Sequence, residues 1–488
     1  MLRRDFCRFA LLTGGMTSFY RARWADAHAQ DEKDFRAVVQ DALQRAVSFF
    51  DGEVSIEGGY VWTYAEDLSL REGEGKATAQ TAWVQPPGTP TVGMALLDAY
   101  RLTKEPICLQ AATRTAHALV KGQLLSGGWT YRIEFDPKAR TRYRYRKPPA
   151  GGEKAFNVST LDDDTTQSAL RFLMEYDRET RMQDQVVHEA VLYALSALLA
   201  VQRPNGGFPQ GFAEPPDPKE FPDLAASYPA DWSRELSKKD YWECYTINDN
   251  THADTVSALL LAWRIYGDDR YMMASRRAGE FLIKAQMPDP QPAWAQQYDA
   301  QMQPCWARKF EPPAITGGES QGVMRTLILL FHETGEKRFL EPIPRALQYL
   351  RQSVLPDGNL ARFYELKTNR PLFFTRDYQL TYSDADTPTH YAFKVDNQLA
   401  SIERQYEQAL KSGPQPRLGR LPTAPRLSSS LTAEARRVVE QLDQRGRWIE
   451  QGRLKTAPAN APITRIITTQ TFVRNLGVLA AYLAASQS

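Results

Sequence analysis

The chain has 488 residues and a formal net charge of +2, with 60 Lys and Arg against 58 Asp and Glu. That length allows a large buried core, and the composition is that of a globular protein. A charge so near zero argues against a nucleic-acid binder or a polybasic membrane surface.

In chain order, "LRRDFCRFALLTGG" sets Arg3 and Arg4 ahead of a short apolar run, and Ala27 and Ala29 supply small residues for cleavage. This order reads as an export signal over residues 1–29, and the arginine pair resembles the twin-arginine type. The run is too short to span a bilayer. An exported protein, periplasmic or secreted, is expected. Cys7 would leave with the signal. Cys108, Cys244 and Cys305 lie far apart without metal-ligand spacing, so no disulfide framework is implied.

The next elements repeat. "GMALLDAYRLTKEPICLQAATRTAHALVKGQLLSGGW" predicts a helix, a break near Pro106, a second helix, then Gln123 and a turn ending at Trp129. The plan returns with Gln202 and Phe208, with Gln286 and Trp294, and with Gln352 and Gly358. Each copy carries helical periodicity on both sides of a break, which makes it an αα-hairpin. One hairpin cannot bury both apolar faces, so the copies must stack, as an open solenoid or a closed ring. Long, chemically rich loops after most second helices favour the ring. The expected fold is all-α, an α/α toroid whose inner helices start at one mouth.

Residues 30–410 are assigned to the toroid. "KSGPQPRLGRLPTAPRLSSS" reads as a linker over 411–430, and 431–488 as a last hairpin closing the ring, with Thr432 as a helix cap.

The inner-helix starts carry the chemistry. "TLDDDTT", "TINDNTH" and "ITGGES" set Asp162, Asp163, Asp164, Asp249 and Glu319 at that mouth. A helix N-terminus accepts one carboxylate as a cap. Three in succession, with Asp249 and Asn248 on the neighbouring repeat, suit a hard cation, Ca2+ before Mg2+. Arginines face this group: Arg308 in "PCWARKFEPP", Arg362 and Arg370 in "ARFYELKTNRP", and Arg376 in "FFTRDYQ". "KARTRYRYRK" alternates arginine with Tyr143 and Tyr145, either a solvated hairpin or a β-ribbon on which an anionic chain lands. Guanidinium forks suit carboxylates, and tyrosines stack on sugar faces. Acidic polysaccharide is the ligand this set describes.

At these residues the chain resembles the pectic acid lyases of polysaccharide lyase family 10. "STLDDDTT", "NGGFPQ", "YTINDN", "PCWARKFEPPAITGGES", "LARFYELKTNRPLF" and "TRD" occur in that family's order, from Asn157 to Asp377. The resemblance implies an α/α toroid that cleaves polygalacturonate by β-elimination with Ca2+. It implies that Asp162 and Asp249 are calcium-associated, with Asp163 beside them, and that Arg308 is the catalytic base. Arg362 and Arg376 would hold substrate carboxylates, with Arg370 and Tyr364 as further substrate contacts. Two departures are visible. Asp163-Asp164 replaces a common Asn-Gly pair, and residues 213–240 form a long insertion.

A guanidinium stays protonated near neutrality, so a base role predicts an alkaline optimum, and a pure substrate clamp is the alternative. Rival readings on the same architecture are a triterpene-cyclase-like protein, with "DDDTT" as an acid motif, and an inverting glycoside hydrolase. An exported non-catalytic polyuronate-binding protein is a fourth. No nucleic acid, no membrane span and a monomer are expected. His252 is expected to be structural.

Overall fold

The computed structural model describes residues 34–236, 241–460 and 462–486. The expected signal over 1–29 lies outside the described residues. The chain forms helices in pairs: α1 (34–49), α2 (Thr89–Thr103), α3 (Pro106–Gly122), a single turn α4 (Pro137–Arg140), α5 (Thr165–Glu179) and α6 (Gln185–Val201). Next come α7 (Thr251–Tyr266), α8 (Asp269–Lys284), α9 (Gly317–Thr334) and α10 (Ile343–Gln352). The last are α11 (Leu399–Ser412), α12 (Ser429–Glu440) and α13 (Thr469–Ala485).

Alternate helices form an inner layer. Helix α13 packs on α2, α2 on α5, α5 on α7, α7 on α9, and α9 on α11, while α3, α6, α8, α10 and α12 back them from outside. The architecture is an α/α toroid. Burial follows the layer: α5 is buried almost all round from Thr165 to Asp177, whereas α6 buries one stripe. A helix covered on every side belongs to the inner layer, and one buried along a single stripe to the outer.

The repeated Gln and aromatic residues are staples between hairpins. Gln123 Nε2 donates to Gly127 O at 2.9 Å and to Ala190 O on α6 at 2.8 Å. Gln202 does the same to Gly206 O and Ala274 O, and Gln286 to Pro292 O and Pro342 O. Trp129 and Trp294 are fully buried and donate their indole N–H to Leu119 O and Leu282 O. Truncating either to Ala would cost about 3–5 kcal/mol. Gly206 has φ +92°, and a Cβ there would lie 2.0 Å from Arg277 O, so only glycine lets this turn meet the next outer helix.

Short β-ladders fix the loops at the inner-helix N-termini. Ser159–Thr160 pairs with Gly211–Phe212, just ahead of the aspartate run, and Tyr245–Thr246 pairs with Gln297–Tyr298, just ahead of Asp249. Ala314–Thr316 pairs with Phe363–Glu365, which pairs in turn with the strand from Pro371, and this brings Arg362 to the start of α9. Thr63↔Thr468 joins strands from the two ends of the chain.

Two expectations need correction, and the three cysteines are free, as expected. Helix α12 is capped by Ser428, whose hydroxyl accepts from Leu431 N at 3.2 Å, and Thr432 lies inside the first turn. The "KARTRYRYRK" segment is neither a regular ribbon nor a solvated hairpin. Arg140 is buried, and its guanidinium donates to Pro149 O, Glu134 O, Lys121 O and Lys147 O, a set of carbonyls that only a long buried fork can reach. Cys244 and Cys305, far apart in sequence, have sulfur atoms 3.4 Å apart, because they flank the ladder that positions Asp249.

Candidate active site

The two acidic loops have the same backbone shape. Asp162-Asp163-Asp164 and Asn248-Asp249-Asn250 each form one short 3-10 turn, with left-handed φ at the second and third residues: 47° and 59°, then 49° and 58°. Asp and Asn are the residues that enter this region most readily after glycine, yet two successive cases in two neighbouring loops store strain. The register makes Asp163 the counterpart of Asp249, and Asp162 the counterpart of Asn248. Matching strain in matching positions aims two carboxylates at a common point.

One oxygen each from Asp162, Asp163 and Asp249 lies within 4.8 Å of the others. Their remaining bonds are few. Asp162 Oδ2 accepts from Tyr131 OH at 2.6 Å, Asp163 Oδ2 from Gln85 Nε2 at 2.8 Å, and Asp249 Oδ2 from Asn248 Nδ2 at 2.7 Å. Asp162 Oδ1 and Asn248 Oδ1 are buried without a partner. Orphaned buried oxygens and mutually repelling carboxylates are what a hard cation satisfies, so the donor set fits Ca2+. Burial, then the charges of Asp162 and Glu74, pushes Asp163 up to about 6. Burial and the charges of Asp162, Asp163 and Glu319 push Asp249 up to about 8.

Asp164 leaves this group. Its side chain pairs with Arg171 on α5. Glu319, in the first turn of α9, stands near enough to act on Asp249 and pairs loosely with Arg362, 3.4 Å from Oε1 to Nη1. Asp249, Asn250, Glu319 and Arg362 together line one pocket between α7 and α9.

Arg308 is within electrostatic reach of Asp163 and Asp249. Its guanidinium is held by Glu311, Nε to Oε2 at 2.8 Å and Nη2 to Oε1 at 2.5 Å, with the Arg308 backbone N–H on Oε2 at 3.0 Å. Glu311 is almost wholly buried, and Tyr391 OH donates to its Oε1 at 2.9 Å. The Tyr391 ring also lies under both guanidiniums, 5.6 Å from Arg308 Cζ and 4.7 Å from Arg362 Cζ. The Glu311 hydrogen bonds hold the Arg308 guanidinium well above its ordinary pKa, against the opposing effect of burial.

The remaining expected substrate contacts are Tyr364, Arg370 and Arg376. Tyr364 is 1% exposed and spends its hydroxyl inside the fold, donating to Ser353 O at 2.6 Å and accepting from Ala361 N at 2.8 Å. It is a core residue. Arg370 sits at the turn end of the hairpin whose other end carries Arg362, against the Tyr382 ring at 3.3 Å. Arg376 is 71% exposed and pairs with Asp386 at 3.2 Å. Arg370 O accepts from Glu365 N at 2.8 Å and Arg362 O from Gly317 N at 3.1 Å, which places the two arginines at opposite ends of the ladder. His252 is structural: it is buried, Nε2 accepts from Phe208 N at 3.0 Å, and burial lowers it to about 4.

Glu311, Tyr391, Tyr131 and Gln85 were not anticipated. Glu311 alone left a local signal, an acid three residues after Arg308 in "ARKFE".

Residues 123–357 match the family model of the pectic acid lyases. The chain resembles the pectic acid lyases. Both acidic loops and Arg308 fall inside that match. No curated protein matches the chain. Among solved structures, a family 10 polysaccharide lyase from Cellvibrio cellulosa in complex with trigalacturonic acid is 20% identical, with a TM-score of 0.45, over 68% of this chain and 99% of that one. A second structure of a family 10 lyase from the same organism matches at 20% identity and a TM-score of 0.45, over 66% of this chain and 96% of that one. A cellobiose 2-epimerase from Spirochaeta thermophila is 13% identical, with a TM-score of 0.44, over 94% of this chain and 99% of that one. Among the described residues, no helix is long and apolar enough to cross a membrane.

Proposed function

We propose that the protein is a pectate lyase that cleaves polygalacturonate by β-elimination with Ca2+. The observation that carries the reading is the meeting of Asp162, Asp163 and Asp249 beside Arg308, inside the stretch that matches the pectic acid lyase family.

In the reaction a base takes the proton from C5 of a uronate, the bond from C4 to the glycosidic oxygen breaks, and a C4–C5 double bond forms. The departing oxygen takes a proton from solvent. Charge builds on the C6 carboxyl group as C5–H weakens, and a carboxylate resists it. Asp162, Asp163 and Asp249 would hold Ca2+, which when bound neutralises that carboxylate and so lowers the barrier. Arg362, braced on Tyr391 and near Asp249, supplies a second positive group at the same place.

Arg308 serves as the base through Nη1, the nitrogen its fork with Glu311 leaves over. Glu311 orients the guanidinium but also stabilises its cation, so the reaction needs alkaline conditions. That same stabilisation favours a second reading, in which Arg308 only clamps a substrate carboxylate. We also propose that the chain is exported; the N-terminal sequence of the mature protein checks this.

The test is direct. Purified protein is incubated with polygalacturonate at alkaline pH, with and without a chelator, and followed by ultraviolet absorbance of unsaturated ends. Unsaturated product that the chelator abolishes supports the reading. Reducing ends without unsaturation would indicate a hydrolase, and binding without either product a non-catalytic protein.

A further inference from the structure

Outside the acidic cluster lies a cleft of about 530 Å³ lined by Glu74, Trp83, Tyr131, Arg132, Arg142, Tyr143 and Phe156 among others. We propose that this cleft is a further saccharide subsite, taking uronate residues of the same polymer that crosses the acidic cluster. The proposal rests on the polyuronate reading above and extends it to a cleft whose wall combines Glu74 and Trp83, upstream of the family match, with residues inside it.

Its chemistry selects the ligand. Arg132 forms no ion pair among the described residues, and its guanidinium lies 4.8 Å from the centre of the Trp83 ring. Arg142 is 65% exposed, with Nε on Ala139 O at 3.3 Å and Nη2 on Glu134 at 3.5 Å, which leaves Nη1 over. Two such guanidiniums leave N–H groups for carboxylates, which pair with them as forks. The rest of the wall is aromatic. Tyr143 and Phe156 meet edge to face at 5.9 Å, and Phe156 is 45% exposed. An uncovered phenyl ring beside guanidiniums with N–H groups to spare suits a ligand with flat C–H faces and regularly spaced carboxylates. Glu74 is the one carboxylate on the wall, against two arginines.

The cleft adjoins the acidic cluster. Tyr131, a lining residue, donates to Asp162 at 2.6 Å. Trp83 Nε1 donates to Gln85 Oε1 at 3.0 Å, and Gln85 passes a bond to Asp163 at 2.8 Å. Asp163 is within electrostatic reach both of Glu74 on the cleft wall and of Arg308. One chain of sugars can therefore touch the cleft, the cluster and the arginines. Of the arginine–tyrosine segment that the sequence offered as a landing strip, only Arg142 and Tyr143 line this cleft.

Oligomer length tests it. Tri- and hexagalacturonate are titrated calorimetrically, with Ca2+, into full-length protein carrying Arg308→Ala so that cleavage does not intrude. Hexamer binding about tenfold or more tighter than trimer is expected. Arg132→Ala and, separately, Phe156→Ala should cut that ratio about tenfold, with melting temperatures unchanged. Phe156 is exposed, so its truncation does not threaten folding. A ratio that both variants leave intact, or trimer and hexamer affinities that fall together, overturns the subsite. Failure of the parent to bind either oligomer overturns the polyuronate reading and this proposal with it. Absence of unsaturated product from the wild type defeats the lyase step alone, because length dependence is read as binding.

Discussion

The two ends of the inner helices hold buried acids in opposite conditions. At the C-terminal ends the acids are answered. Arg101 binds Glu175 at 2.7 Å and Glu179 at 2.9 Å, and Asp177 meets His188 at 2.8 Å and Tyr266 at 2.7 Å through Oδ2, its Oδ1 left over. Glu333 has no exposed surface, and it accepts from Arg264 at 2.9 Å and from the backbone N–H groups of Arg417 and Leu418. Helix dipoles disfavour acids at C-termini, so these partners are what make the burial tolerable. At the N-terminal ends Asp162, Asp163 and Asp249 face one another, and among the described residues no ion pair answers any of the three. Buried acids that are paired hold a fold together. Buried acids left unpaired, on strained backbone, mark a place where a ligand supplies the missing charge.

The sharpest way to break this contrast is Asp249→Asn. Product formation from polygalacturonate should fall about 10³-fold in kcat/KM, while the melting temperature in chelator rises because a repelling charge is gone. A fall in both would make Asp249 a structural residue like Glu333. The converse change is Glu333→Ala at the other end. Denaturant unfolding should show a loss of about 3 kcal/mol, with the rate of unsaturated-product formation within about twofold of wild type.

Glu311→Gln separates the roles of Arg308. If Arg308 is the base, losing the carboxylate that holds it protonated moves the alkaline limb of the pH–rate profile downward by about one unit. If Arg308 is only a clamp, KM rises about tenfold and the limb stays in place.

The smallest effect is on stability against pH. Asp163 and Asp249 titrate higher in the fold than in the unfolded chain, at about 6 and about 8. Their contribution is fully present below the ordinary aspartate range and is lost as pH rises through those values. In chelator the melting temperature should therefore fall between about pH 4 and pH 8, on the order of a few °C. Saturating Ca2+ should reverse the fall at the alkaline end, since the ion needs the deprotonated form. A flat profile in chelator would mean that the three carboxylates do not repel as their spacing requires.

What was legible in the sequence is what a local pattern fixes. The helical hairpins and their Gln-to-aromatic turns repeat because each contacts only its neighbours, so stacked hairpins could be read from the period and the ring from the long loops that follow the second helices. The aspartates could be read because a run of three exceeds what capping needs. Tyr364 and Arg370 share a motif with Arg362, but the Tyr364 hydroxyl is spent on Ser353 O and Ala361 N inside the fold, and the hairpin turn carries Arg370 away from the Arg362 end. Motif membership therefore did not place them together. Tyr131 and Gln85 reach Asp162 and Asp163 from 31 and 78 residues away, and Tyr391 reaches Glu311 from 80. Nothing short-range announces such partners. The meeting of Cys244 with Cys305 is of the same kind, created by one ladder between distant strands.

The most direct measurement is a calorimetric titration of Ca2+ into wild-type protein, Asp163→Asn and Asp249→Asn at a pH above 8. The account predicts one ion per chain in the wild type and binding lost in both variants. Equal binding in all three, or none in the wild type with polygalacturonate present, would contradict it.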